Sequence, residues 1–338
     1  MPRLGSRKSR NGCKQCKTRH VKCDERVPCS NCTKYGAECS LVSSPALPNL
    51  AHGLAKTKIT PANHKCTEDH PGTCDWIQDL ELMHHYTAHA HLTMPGVEQA
   101  KQTWGYAVPQ EAFRNPFLMH SLLAFSAYHL AHINPSSQSH YRLLASSHQS
   151  SAITGINGVL PSITPENCHA LFAAASLITL NSFADSGPKT LDVLIGLFQL
   201  LRGMNEVLKT TEPLIQSGPF ASIFRPAVDP PRLPPLLSSL LRELQTASSQ
   251  GPTPESEVAY MAMVNLRDAL QSGLENSSHA AMRTAMLWPI KLNGAYIDIL
   301  RTQEPAAMVV LGQYIKILEY AATEWWFLAS WKEFRCNI

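Results

Sequence analysis

Six of the chain's ten cysteines stand between residues 13 and 39, in a spacing that leaves that stretch little freedom in how it folds. Cys13, Cys16, Cys23, Cys29, Cys32 and Cys39 read Cys-x2-Cys-x6-Cys-x5-Cys-x2-Cys-x6-Cys, one half-motif written twice in NGCKQCKTRHVKC and VPCSNCTKYGAEC. A Cys-x2-Cys step puts two sulfurs on one side of a helical turn, where both can ligate one metal. Zinc takes four soft ligands in a tetrahedron, with Zn–S near ~2.3 Å. Two such sites share six sulfurs only when two of the sulfurs bridge both metals. The internal repeat makes the first cysteine of each half, Cys13 and Cys29, the expected bridges. The alternative is a disulfide framework, which needs an oxidising compartment. The opening MPRLGSRKSR has no apolar run of the kind a secretory leader carries. The expected cofactor is therefore two Zn(2+) ions per chain.

Charge separates this stretch from the rest. Residues 1–40 hold ten Lys and Arg (Arg3, Arg7, Lys8, Arg10, Lys14, Lys17, Arg19, Lys22, Arg26, Lys34) against Asp24, Glu25 and Glu38. The whole chain is only +3, so the remaining residues are net acidic and conceal the asymmetry. A small basic module on an acidic body is the electrostatic footprint of phosphate-backbone binding.

The stretch KSRNGCKQCKTRHVKCDE resembles the DNA-binding module of the fungal binuclear zinc-cluster (six-cysteine) transcription factors, over residues 7–39. The resemblance implies two zinc-pinned helices related by a pseudo-twofold, the first entering the major groove of double-stranded DNA. One short helix is expected from Cys13 to about Arg19. The resemblance places base contacts on Arg19 and His20, and an arginine there matches the family's preference for CGG-like triplets. His20 departs from the lysine common at its position, so the expected target is a CG-containing promoter element rather than a plain CGG site. Lys14, Lys17 and Lys22, with the arm Arg7, Lys8 and Arg10, are expected at phosphates, which fix register without reading sequence. Pro28 sits in a five-residue loop between the halves, where relatives turn the chain with a proline.

Residues 41–74 are rich in Pro, Ser, Gly and Lys, lack helical periodicity and read as a linker. No sustained heptad pattern marks a coiled coil there. His64, Cys66, His70 and Cys74 follow no familiar zinc spacing and read as solvated loop.

From residue 75 the pattern turns helical. Asn115-Pro116, Thr164-Pro165 and Thr253-Pro254 each place a capping residue before a proline at a first helical position. Apolar stripes recur at helical spacing: Trp76, Ile77, Leu80 and Met83; Leu194, Leu197, Phe198, Leu201, Met204 and Leu208; Val310, Tyr314, Ile317, Leu318 and Ala321. The longest apolar run, about Leu171–Leu180, is too short to span a bilayer, so no membrane partner is expected. The fold class is a small zinc-cluster module of two short helices with little regular structure, 1–40, followed by a large all-α domain, 75–338.

DLELMHHYTAHAHLTMP, VPQEAFRNPFLMHSLLAFSAYHLAH and EPAAMVVLGQYIKILEYAATEWWFLASW resemble the regulatory domain of the sterol uptake control subgroup, in scattered blocks over most of 76–331. This implies a helical effector domain governing a metabolic, sterol-related or secondary-metabolite pathway, with a hydrophobic small molecule as effector. It also implies a domain shortened at its C-terminus, because relatives continue beyond the position of Trp325-Trp326. His84, His85, His89 and His91 read as surface or amphipathic histidines and His129 as a satisfied core histidine. Trp325, Trp326 and Trp331 read as core packing, and Cys168 and Cys336 as ordinary thiols. The chain contains no Gly-rich phosphate loop, His-Glu-x-x-His or Gly-x-Ser-x-Gly, and it is not expected to be an enzyme. The expected protein is a nuclear, sequence-specific regulator of RNA polymerase II transcription. Its expected partners are the transcription machinery and, for paired sites, a second copy of itself. Nuclear entry is expected through Arg7–Arg10 or the cluster helix. A zinc-dependent adaptor acting through protein contacts is the alternative, but it would not need the basic run Lys14–Lys22.

Overall fold

The computed structural model describes residues 11–37, 39–42, 75–185, 187–224, 234–249, 251, 257–332 and 334. The arm Arg7, Lys8 and Arg10, the linker with His64, Cys66, His70 and Cys74, the Thr253-Pro254 start and Cys336 lie outside the described residues. The chain divides into two compact units, Met1–Lys65 and Cys66–Ile338, and the division falls inside the stretch read as linker.

The first unit contains two one-turn helices, α1 (Lys14–Thr18) and α2 (Ser30–Lys34). Five residues are too few for a helix to hold itself in water, and both are fixed by their cysteines. Cys13 and Cys29 are the N-caps, each sulfur accepting the N–H three residues on, from Cys16 at 3.3 Å and Cys32 at 3.4 Å. α1 is shorter than expected, with Arg19 as its C-cap. The chain then turns through a left-handed residue, and an N–H bond returns to close the helix end, Val21 to Cys16 O in one half and Ala37 to Cys32 O in the other.

Every regular element among the described residues of the second unit is helical. In order these are α3 (Asp75–Ala88), α4 (Glu98–Gln102), α5 (Val108–Ala112), α6 (Pro116–Ile133), α7 (Gln138–Val159), α8 (Cys168–Ala184), α9 (Leu191–Gln216), α10 (Pro235–Ser248), α11 (Glu257–Asn276), α12 (Ala280–Lys291), α13 (Gly294–Arg301) and α14 (Pro305–Glu324). A 3-10 turn, Trp326–Trp331, follows. α6 opens at Pro116 as expected, but α8 begins at Cys168 rather than Pro165. There Asn167 accepts the Thr164 N–H, and residues 165–167 form a separate turn.

α8 lies at the centre of the unit. It is largely apolar because most of its surface is buried, with Ala170, Ala173 and Ala174 wholly covered. The Leu171–Leu180 run is thus a core helix, and among the described residues no helix is long and apolar enough to cross a membrane. Between α6, α7 and α8 the buried Asn181 donates to Ser121 O and Gln149 Oε1, and Gln149 donates to Ile178 O. A second knot joins α9, α12, α13 and α14 through Phe198, Trp288, Tyr296 and Tyr314, with ring centroids 4.7–5.8 Å apart. The three polar tips each donate to a backbone carbonyl: Trp288 to Ala262, Tyr296 to Ala307 and Tyr314 to Ala285.

The stripe of α14 is buried as expected, as is that of α9 from Leu194 to Leu201, while Met204 and Leu208 are half-buried. That of α3 is not. Trp76, Ile77 and Leu80 are exposed at 56%, 55% and 58%, while Leu82, His85 and Tyr86 face the core. Trp331 is buried and donates to Phe183 O, so the C-terminal tryptophan is core as expected.

Candidate metal centre and nucleic-acid interface

The six cysteines of the cluster are all 3% exposed or less. Cys13 Sγ lies 3.7 Å from Cys29 Sγ and 3.5 Å from Cys32 Sγ, and Cys16 Sγ lies 3.6 Å from Cys29 Sγ. Four sulfurs around one zinc at ~2.3 Å stand about 3.8 Å apart, so these separations fit metal-bound thiolates. The sulfurs of Cys13, Cys16, Cys29 and Cys32 all fall within 4.8 Å of one another. Backbone N–H groups point at them: Cys13 N–H at Cys23 Sγ, Cys29 N–H at Cys39 Sγ and Glu25 N–H at Cys23 Sγ. Such donors stabilise thiolate over thiol: the Cys16 amide lowers the Cys13 thiol to about 6, while burial raises the Cys16 thiol to about 12 and the Cys32 thiol as well. Asp24 also lies near Cys23 and Cys29. Its carboxylate is already engaged, accepting from the Ser30 N–H at 3.0 Å and from the Ser30 hydroxyl. These bonds hold its pKa below the usual carboxylate value and fix the start of α2.

The two halves superpose in their bonding when numbers shift by the Cys13–Cys29 separation of 16. Lys17 N–H to Cys13 O answers to Thr33 N–H to Cys29 O, and Arg19 N–H to Gln15 O answers to Tyr35 N–H to Asn31 O. His20 (φ 54°) answers to Gly36 (φ 59°). Backbone and sulfurs repeat, but the outer side chains do not. Lys14, Lys17, Arg19 and Lys22 of the first half stand where the second half has Ser30, Thr33, Tyr35 and Glu38. A left-handed backbone costs a side-chain-bearing residue about 1 kcal/mol relative to glycine, so His20 keeps its imidazole where its counterpart Gly36 avoids that strain.

Lys14, Lys17, Arg19, His20 and Lys22 are all exposed. Tyr35, which sequence reasoning passed over, carries the Arg19 guanidinium over its ring, 5.6 Å from the centroid. Asn31, also passed over, donates to Lys22 O at 2.7 Å and ties the segment after α1 to α2. The bridge between the halves is the peptide Val27-Pro28, which is cis.

The histidines of α3 are not all at the surface. His85 is buried, and its Nε2 lies 2.8 Å from His129 Nδ1. His129 is thus the satisfied core histidine expected, its partner supplied by α3. Burial pushes His129 down to about 4 and lowers His85. In the same unit a groove of about 530 Å³ opens between α7, α8 and α9, with Ile156, Leu160, Ile178 and Met204 on its walls and Asn157 and Gln199 among its polar groups.

A basic, sulfur-pinned pair of short helices joined in sequence to a large helical unit is the arrangement of a zinc-cluster DNA-binding protein with an appended helical domain. Residues 11–47 match the fungal Zn(2)-Cys(6) binuclear cluster domain, and residues 81–217 match the fungal specific transcription factor domain. A Zn(2)-C6 fungal-type transcription factor of Aspergillus fumigatus, afumD, is 26% identical across 91% of this chain and 84% of its own length. A Zn(2)-C6 fungal-type transcription factor of Gibberella zeae is 25% identical across 96% of this chain and 80% of its own. Sterol uptake control protein 2 of Candida albicans is 28% identical over 53% of this chain and 25% of its own length. The chain thus carries the two domains found in fungal-type Zn(2)-C6 transcription factors, which support a DNA-binding regulator of transcription whose cluster takes two zinc ions.

Proposed function

We propose that Cys13 and Cys29 each ligate both zinc ions, with Cys16, Cys23, Cys32 and Cys39 completing the two tetrahedra, and that the first half alone reads base sequence. The observation that carries the second claim is the asymmetry between two halves of like backbone. Four exposed cations of the first half meet only Ser, Thr, Tyr and Glu at the matching places of the second. Arg19, at the C-terminal end of α1, takes guanine O6 and N7 in the major groove, and His20 contacts the neighbouring base pair. Lys14, Lys17 and Lys22, joined by Arg7, Lys8 and Arg10, hold phosphates. The structural zinc supplies folding energy to the module rather than chemistry.

In this reading residues 1–40 are the DNA-binding domain, 41–74 the linker and 75–338 the effector domain, and the protein works in the nucleus as a regulator rather than as an enzyme. The effector domain couples DNA occupancy to the transcription machinery under control of a hydrophobic small molecule. The α7–α8–α9 groove supports this, since an apolar hollow with a few polar groups is the usual form of a small-molecule site.

Selection of randomised duplex DNA by zinc-loaded full-length protein, at one stated salt, tests the reading. One enriched CG-containing element is the expected result, and two copies at fixed spacing would reveal a homodimer. Arg19→Ala is expected to cost ~1–3 kcal/mol on the preferred element and to relax selectivity at one base pair. A uniform loss over all sequences would make Arg19 a phosphate contact instead.

A further inference from the structure

We infer that Tyr35 is a positioning residue for DNA reading: its ring holds the Arg19 guanidinium across the pseudo-twofold, in the pose from which Arg19 meets a base. The proposal rests on the reading of Arg19 as the base contact.

Arg19 and Tyr35 occupy equivalent places, the C-caps of α1 and α2. Each sits one residue before the left-handed turn, at His20 and Gly36. The helices that carry them are fixed to one another through their N-caps, whose sulfurs are 3.7 Å apart. The Asn31 to Lys22 O bond adds a second tie between the halves. Within this frame the Arg19 guanidinium lies 5.6 Å from the Tyr35 ring centroid, inside the range at which a cation is drawn to an aromatic face. Arg19 is exposed, and Tyr35 is 61% exposed. Hydrophobic burial therefore does not explain a large aromatic ring at this point, and the ring hides little of itself against the module.

An arginine free in water samples many rotamers and loses that freedom on binding a base. A guanidinium drawn to a ring 5.6 Å away has already lost part of it. Arg19 stays exposed, so its N–H donors remain available for guanine O6 and N7. The tyrosine thus acts on the cost of ordering rather than by touching DNA itself. The second half carries no cation at this place and instead supplies the surface on which the first half's cation rests.

The test is a double-mutant cycle on zinc-loaded full-length protein. Affinity is measured for the selected element and for the same element changed at the base pair Arg19 reads, with zinc content confirmed at two per chain for every variant. Tyr35→Ala is expected to weaken binding to the preferred element by roughly two- to fivefold, the worth of an exposed cation–π contact, and to leave binding to the altered element unchanged. Tyr35→Phe, which keeps the ring, is expected to bind like the parent. In an Arg19→Ala background Tyr35→Ala is expected to cost nothing further. An additive loss in that background, or an equal loss on both elements, would mean that Tyr35 meets DNA on its own and would overturn the positioning role. So would a Tyr35→Ala protein that binds both elements like the parent. If Arg19→Ala itself weakened all sequences alike, the base-reading assignment would fail first, and that result is distinct from a failure of Tyr35.

Discussion

Cys13 and Cys29 each start a helix, and with both as the proposed bridges, removing either would disturb two metal sites and one N-cap together. Cys39 serves one half. Cys13→Ala or Cys29→Ala should therefore abolish binding of both zinc ions, whereas Cys39→Ala should retain part of the metal. Zinc stoichiometry by mass spectrometry under native conditions separates these outcomes, and a Cys39→Ala protein worse than either would refute the bridging assignment. The buried His85–His129 pair makes a pH prediction of opposite character. A free histidine titrates near 6.5, while burial holds His129 at about 4. Between those values the unfolded chain binds a proton that the folded chain refuses, so stability is complete above about pH 6.5 and falls as pH drops toward 4. After discounting for partial solvent access, the loss from pH 7 to 4.5 should be about 1–2 kcal/mol. All six tryptophans lie beyond residue 75, so their fluorescence during urea unfolding reports this domain without interference from the cluster. His129→Phe should reduce the dependence, leaving what His85, His148 and His169, also lowered by burial, contribute. The cysteine spacing was legible in sequence because metal ligation is local. The histidine pair was not, since its members are 44 residues apart and meet only when α3 packs on α6.

At the scale of elements, the helical content was readable from period and caps, but the buried face of α3 was not. Trp76, Ile77 and Leu80 form as good an apolar stripe as Leu82 and Tyr86, and periodicity alone cannot choose between two stripes on one helix. The packing of α3 on α6 made the choice, through the buried Ser126 hydroxyl, which donates to Leu82 O at 2.6 Å, and through the histidine pair. The α7–α8–α9 groove is likewise a product of packing. Gly203 lines it, and a Cβ placed there would meet nothing within 4 Å. Gly203→Leu should fill the hollow without strain and raise Tm by roughly 2–4 °C, because leucine is the better helix former. Binding of a fluorescent sterol, read by tryptophan-to-sterol energy transfer, should fall at least about tenfold if the groove is the effector site. Unchanged binding by a folded Gly203→Leu protein would place the effector elsewhere.

For the whole molecule, the two units draw stability from different sources. Among its described residues the first has a cluster of six cysteines with only Leu41 packed beside them, held by the zinc its sulfurs take. The second has a continuous core from Tyr86 to Phe334. Chelation of zinc should therefore abolish DNA binding and unfold the first unit, while the Tm read from tryptophan fluorescence stays within about 1 °C. A cooperative loss of both signals would show that the units stabilise one another. The sequence by itself determined the metal, the charge of the DNA-facing module and the helical class of the remainder. Each of these depends on spacing along a single turn or on composition. Tertiary structure alone decided which stripe of α3 is covered, which histidines pair, where the groove opens, and that Tyr35 lies beneath Arg19. Those contacts join residues distant in the chain, and only the packing of one element on another brings them within reach.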